Sequence, residues 1–150
     1  MDWGAVLAFL LLTTQTDFGV RPVPGAEPET RKVTLNNVAT FACPVASVTD
    51  GDTFRCTNGT RIRLSSIDTP EMPGACQPGR KCAPGNPYAA KAALAGLIAG
   101  RTVQCEPVGN SYNRIAAWCS VGGQDLSCAM VRSGHAIPLP KFDREGRLCR

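Results

Sequence analysis

Histidine occurs once in the sequence, at His135, and tyrosine and tryptophan only twice each. A lone histidine leaves any nucleophile–histidine dyad without a partner, and His135, just past an expected helix, is read as a surface or capping group. There is no C-x-x-C pair, so eight cysteines and one histidine make a poor zinc centre. A glycine-rich phosphate loop is also absent. Aromatic residues form only 6% of the chain, so affinity for a polyanion would rest mainly on phosphate contacts and carry little base specificity. Trp118, on an alternating strand, marks no cofactor. The N-terminal apolar run, Trp3 to Leu12, is too short to span a bilayer in the usual way. It suits the apolar region of a secretory signal, although Asp2 stands where a basic residue is expected and no A-x-A site follows. Residues 1–26 are therefore expected to be a leader. Residues 27–40 are expected to be a tether without periodic pattern.

What the chain has in quantity is cysteine. Cys43, Cys56, Cys76, Cys82, Cys105, Cys119, Cys128 and Cys149 form an even set, which suits a disulfide framework in an oxidising compartment, secreted or periplasmic. Sequence does not choose among the many connectivities. Position suggests Cys76 with Cys82 across a loop, Cys105 with Cys119 on successive strands, Cys128 with Cys149 at the tail, and Cys43 with Cys56 near the first hairpin.

The chain is organised around Asp50 to Glu71. Asn58-Gly59 between two β-prone runs is a strong hairpin signal of the type I′ kind. It predicts paired strands over Asp52–Thr57 and Thr60–Ser66, with Ile62 and Leu64 on one face and Arg61, Arg63 and Ser65 on the other. Such a hairpin brings its outer ends together, so Asp52 and Asp68 can share one site. Two carboxylates, nearby carbonyls and water suit a hard divalent cation such as calcium. The spacing is not that of an EF-hand, because Phe54 and Arg55 end the alternation begun by Asp50 and Asp52. Taken singly, Asp50-Gly51-Asp52-Thr53 and Asp68-Thr69-Pro70-Glu71 could each be turn chemistry. Together, with an arginine strand between them, they point to phosphate chemistry.

The rest of the chain alternates readable elements. Ala42 to Thr49 is a first strand. Met72 to Gly85 is a Pro- and Gly-rich loop with Arg80 and Lys81 at its tip. Asn86-Pro87 starts a helix over Tyr88 to Ala99, stopped by Gly100. Arg101–Pro107 and Ile115–Val121 are strands separated by a turn over Gly109–Asn113, and Asp125–Ser133 is a second short helix.

These motifs, in order, resemble the staphylococcal nuclease (thermonuclease) family: Asp50-Gly51-Asp52-Thr53, then Arg63, then Asp68-Thr69-Pro70-Glu71, then Tyr112-Asn113-Arg114. The resemblance runs from about Val45 to Ile137. It implies an α+β, mainly β fold: a five-stranded OB-type barrel with attached short helices, here stapled by disulfides, over residues 41–150. It further implies calcium-dependent hydrolysis of DNA and RNA, leaving 3′-phosphates, by a monomer. On the matching positions, Asp52, Asp68 and the Thr69 carbonyl would hold Ca2+, with Asp50 further out. Arg63 and Arg114 would flank the phosphodiester, and Glu71 would be the general base. Arg80 and Lys81 would meet the substrate backbone, though on charge alone they equally fit a solvated loop. Tyr112 would lie over a nucleotide ring or sugar, or else pack in its turn.

The chain departs from the family in three places. It ends soon after Phe142, so a third helix is expected to be missing. Ile137-Pro138-Leu139-Pro140 replaces tyrosine-bearing sequence, and Asn113 replaces a common glycine. The formal charge of +4 favours a polyanionic substrate. Membrane contact is expected only if the leader is retained. The alternatives are a catalytically inactive OB-type nucleic-acid-binding module and a disulfide-stapled interaction domain. Neither requires Asp52, Arg63, Asp68, Glu71 and Arg114 together.

Overall fold

The computed structural model describes residues 39–150. The expected leader and nearly all of the expected tether lie outside the described residues. Strand β1 (Phe41–Val48) pairs antiparallel with β2 (Thr53–Cys56), and β2 turns back into β3 (Arg61–Leu64). The hairpin stands where Asn58-Gly59 predicts it, but the turn differs. Gly59 alone takes a left-handed φ, +87°, while Asn58 does not. The Asn58 side-chain oxygen instead accepts the Thr60 N–H at 3.0 Å, and Cys56 N–H donates to the Thr60 carbonyl at 2.9 Å. The result is a three-residue loop whose single positive-φ position is filled by the residue without a Cβ.

After β3 a turn at Ser65-Ser66 leads into the short β4 (Ile67–Asp68). Helix α1 (Pro87–Ile98) opens as the sequence predicts: the Asn86 side chain accepts N–H bonds from Tyr88 and Ala89, and proline stands in the first turn. Its buried stripe is Ala90, Leu94 and Ile98, four residues apart. Strand β5 (Thr102–Ser111) then pairs with β6 (Arg114–Val121). The expected turn over Gly109–Asn113 is a shorter one. A register shift between Pro107 and Gly109 absorbs Val108, so β5 continues to Ser111 and the chain reverses at Tyr112-Asn113. Strand β7 (Gln124–Asp125) leads into α2 (Leu126–Arg132), capped by the Asp125 carboxylate on Cys128 N–H at 2.8 Å. Strand β8 (Ile137–Pro138) and a 3-10 turn (Pro140–Phe142) follow.

The main sheet runs β3-β2-β1-β5-β6-β7, and a parallel pairing of β3 with β6 closes it. Five strands, β1, β2, β3, β5 and β6, thus form the mixed OB-type barrel that the resemblance implies. Phe54, Ile62, Leu64, Val103 and Ala117 fill it together with Cys43, Cys105 and Cys119. Leu94, Ile98, Leu126 and Met130 from the two helices belong to the same core.

The four disulfides are the ones suggested by position: Cys43–Cys56, Cys76–Cys82, Cys105–Cys119 and Cys128–Cys149. No third α-helix occurs among the described residues. The tail is held by Cys128–Cys149 and by Asp143, whose carboxylate accepts the Arg147 and Leu148 N–H groups. Arg147 also pairs with Glu106 at 2.7 Å and lies over the Trp118 ring, which explains why that indole is buried. Among the described residues no helix is long and apolar enough to cross a membrane.

Candidate active site

Three strands and two turns deliver the site. In the barrel wall Thr53 stands opposite Arg63, and Arg63 opposite Ala116. Ile62 and Leu64 point into the core, so alternation turns Arg63 outward, as the sequence predicts. Arg114 lies two residues before Ala116 on β6 and shares that outer face. The seam that closes the barrel therefore brings both arginines to one place.

The carboxylates come from either side of the hairpin, Asp52 from the turn before β2 and Asp68 from the short strand β4. Asp52 and Asp68 are nearly fully buried, and one nitrogen of Arg63, Nη2, lies 3.1 Å from Asp52 Oδ2 and 3.3 Å from Asp68 Oδ1. The same nitrogen donates to the Ile67 carbonyl at 3.3 Å. Among the described residues, Arg63 Nε and Nη1 have no hydrogen-bond partner and are free to meet a ligand. Thr53 is the link that sequence reasoning missed. Its hydroxyl donates to Asp52 Oδ1 at 2.8 Å and accepts from Arg114 Nη1 at 3.0 Å, which joins the two arginines through Asp52. Thr53 was legible only as part of the motif. The second of its two hydrogen bonds comes from Arg114, far away in the chain. Ser111, also unforeseen, holds the other side of Arg114 through its carbonyl and hydroxyl.

Burial pushes the Asp52 carboxyl up to about 7, with the Arg63 charge pulling the other way and Asp50 adding to the rise. Asp50 itself accepts the Asp52 N–H at 3.1 Å and so shapes the turn. Glu71 stands at the exposed edge of the site, paired with Arg80 Nη1 at 2.8 Å, while Arg80 Nη2 lies 3.0 Å from Asp68 Oδ1. Arg80, expected to contact substrate, thus contacts two of the acidic residues. Lys81 is exposed and makes no ion pair among the described residues. The Tyr112 side chain is 96% exposed at the tip of the β5–β6 turn, so it does not pack there.

Gly51 explains a motif residue that composition reads as turn chemistry. Its φ is not left-handed, but an added Cβ would lie 2.7 Å from Ala90 Cβ on α1 and 2.9 Å from Thr69 Cβ. Helix α1 and both acidic turns converge on this hydrogen atom. Gly51→Ala is expected to cost about 1–3 kcal/mol in urea unfolding, the range for overpacking a tight contact. Displacing Asp52 should also lower activity. Equal stability of variant and parent would mean that this contact gives way freely.

Among the described residues no three His, Cys, Asp or Glu side chains converge as a metal-binding group. Two buried carboxylates do converge on one guanidinium nitrogen, and burial alone makes Asp52 reluctant to ionise. Such a pair favours additional positive charge, and Thr69, buried next to it, offers a backbone oxygen. The residues fit a hard ion that takes its other ligands from water or substrate.

Alongside Arg63 runs a groove of about 820 Å³, bordered by Pro107, Tyr112, Ala116, Phe142 and Arg144. Strand β8 pairs with β4, Asp68 opposite Ile137, so the segment that departs from the family pattern flanks an acidic residue of the site.

The closed five-stranded mixed barrel, with Arg63 and Arg114 beside its seam and Asp52 and Asp68 next to Arg63, is of the OB type. Residues 61–147 match the family model described as staphylococcal nuclease homologue, and the chain belongs to that family. A search of curated proteins finds no match.

Proposed function

We propose that this protein is a secreted or periplasmic nuclease that hydrolyses phosphodiester bonds of DNA and RNA with calcium and little sequence preference, leaving 3′-phosphates. The observation that carries this reading is the continuous net Arg114–Thr53–Asp52–Arg63–Asp68, with Glu71 at its open edge. A pure binding module has no need to gather two guanidiniums, two desolvated carboxylates and a third carboxylate in one place. The four disulfides support the oxidising compartment.

In this reading, the free Nε and Nη1 edge of Arg63 takes the phosphate in a two-pronged contact, and Arg114 meets the charge that grows on its oxygens. Glu71 accepts the proton of the attacking water. Asp52, Asp68 and the Thr69 carbonyl would hold calcium, which when bound supplies positive charge that polarises the phosphate. The groove beside Arg63 would carry the next nucleotide, with Tyr112 and Phe142 on its border in place of the family's tyrosines.

The test is incubation of the oxidised protein with single-stranded DNA or RNA in calcium, in magnesium and in chelator. Cleavage with calcium and none with chelator is expected. Binding without cleavage in all three conditions would move the protein to the inactive OB-type class.

A further inference from the structure

Three acidic side chains of the site face three guanidiniums, and the guanidiniums are held unequally. Arg63 and Arg114 stand on barrel strands. Arg80 stands on the loop between β4 and α1, in neither strand nor helix. Its side chain is 41% exposed against 17% for Arg63. It nevertheless reaches Asp68 Oδ1 at 3.0 Å and Glu71 Oε1 at 2.8 Å, using one nitrogen for each. The Cys76–Cys82 disulfide, with a sequence separation of six, closes the small ring that carries it.

We propose that Arg80 is a built-in counter-ion for Asp68 and Glu71 that a divalent cation must displace, so that cation entry and release of Glu71 are one event. The proposal rests on the calcium reading above and adds a role for this chain's own loop. Asp68 Oδ1 already serves Arg63 Nη2 at 3.3 Å. The least anchored of its cationic partners is the one that leaves when a further positive charge arrives. Glu71, paired to Arg80 beforehand, then loses that partner. Arg80 then joins its neighbour Lys81, already exposed, on the solvent side, where phosphates approach. In thermodynamic terms the clasped form is a competing state, and its population lowers the apparent affinity for the cation.

The test measures calcium binding itself, by titration calorimetry without nucleic acid, on the oxidised full chain, Arg80→Ala and Lys81→Ala. A half-exposed ion pair is weak, so Arg80→Ala is expected to bind calcium about threefold to tenfold more tightly. Lys81→Ala removes the same charge one residue along without breaking a contact, and should change affinity less than about twofold. Equal tightening in both variants would show only the long-range effect of a lost charge and overturn the proposal. Unchanged or weaker binding in Arg80→Ala, with binding intact in the parent, would overturn it and leave the calcium reading standing. No binding in any of the three proteins would overturn both.

Discussion

Arg63→Ala is expected to lower turnover at least about a hundredfold, the scale of a lost charge-stabilising group, and to destabilise the fold at the same time. Both effects come from one side chain because its nitrogens are divided between two tasks. Nη2 compensates Asp52 and Asp68, while Nε and Nη1 have no hydrogen-bond partner among the described residues. Asp68 retains Arg80, but Asp52 loses its only ion-pair partner among the described residues. Removing one partner of a buried pair costs about 3 kcal/mol or more. The loss should depend on pH. Asp52 is raised from 3.8 to about 7 in the folded protein, so its proton is bound more tightly there than in the unfolded chain. Its contribution to stability is complete below about 4 and is lost as pH rises through about 7. Without Arg63 nothing comparable opposes the rise, and the loss becomes larger. Urea unfolding in chelator at pH 5 and pH 8 should therefore show a gap between parent and variant that widens at pH 8. An unchanged gap would mean that Arg63 does not hold Asp52. Arg63→Lys should recover much of the stability, since one ammonium can replace Nη2, without recovering the turnover that needs a planar fork.

Glu71→Gln is expected to leave the fold intact and the reaction at least about a hundredfold slower. Glu71 lies at the edge of the site, and its partner Arg80 is half-exposed, so the lost pair should change stability by no more than about 1 kcal/mol. Gln retains the shape of the side chain and cannot take the proton. The informative comparison is single-turnover cleavage against binding of the same oligonucleotide, measured in calcium. Slow cleavage with near-normal binding places Glu71 in the chemical step. Full activity in a folded Glu71→Gln would remove it from the role of base.

Much of this site was legible because its parts are close in sequence. Asn58-Gly59 marks a hairpin whatever surrounds it, and a hairpin of that length necessarily brings Asp52 near Asp68. The cysteine pairs and the Asn86-Pro87 helix start are local in the same sense. What could not be read joins residues far apart. Neither the parallel closure of Arg63 with Ala116 nor the pairing of Asp68 with Ile137 leaves a mark in either segment alone. Thr53 could not be seen as the link to Arg114 without that closure. Arg80 was recognised as a basic loop residue, but its destination was not, because charge gives a loop no direction. The turn before Arg114 was placed too early because Gly109 and Asn110 have the chemistry of a turn, while the shift at Val108 lets the strand pass through them.

The disulfides and the seam divide the molecule's resistance to opening between them. Each bond joins residues 6 to 21 apart, within the β1–β2 pair, the Arg80 loop, the β5–β6 pair, or α2 and the tail. None crosses from β3 to β6. The hairpins can therefore re-form early and locally in an oxidised chain, while the distant pairing that sets Arg63 beside Arg114 comes with barrel closure. Parting the two arginines breaks no covalent bond, while Cys43–Cys56 still ties β1 to β2 and Cys105–Cys119 still ties β5 to β6. The site is therefore expected to be lost, as the seam opens, before the cross-linked strand pairs come apart.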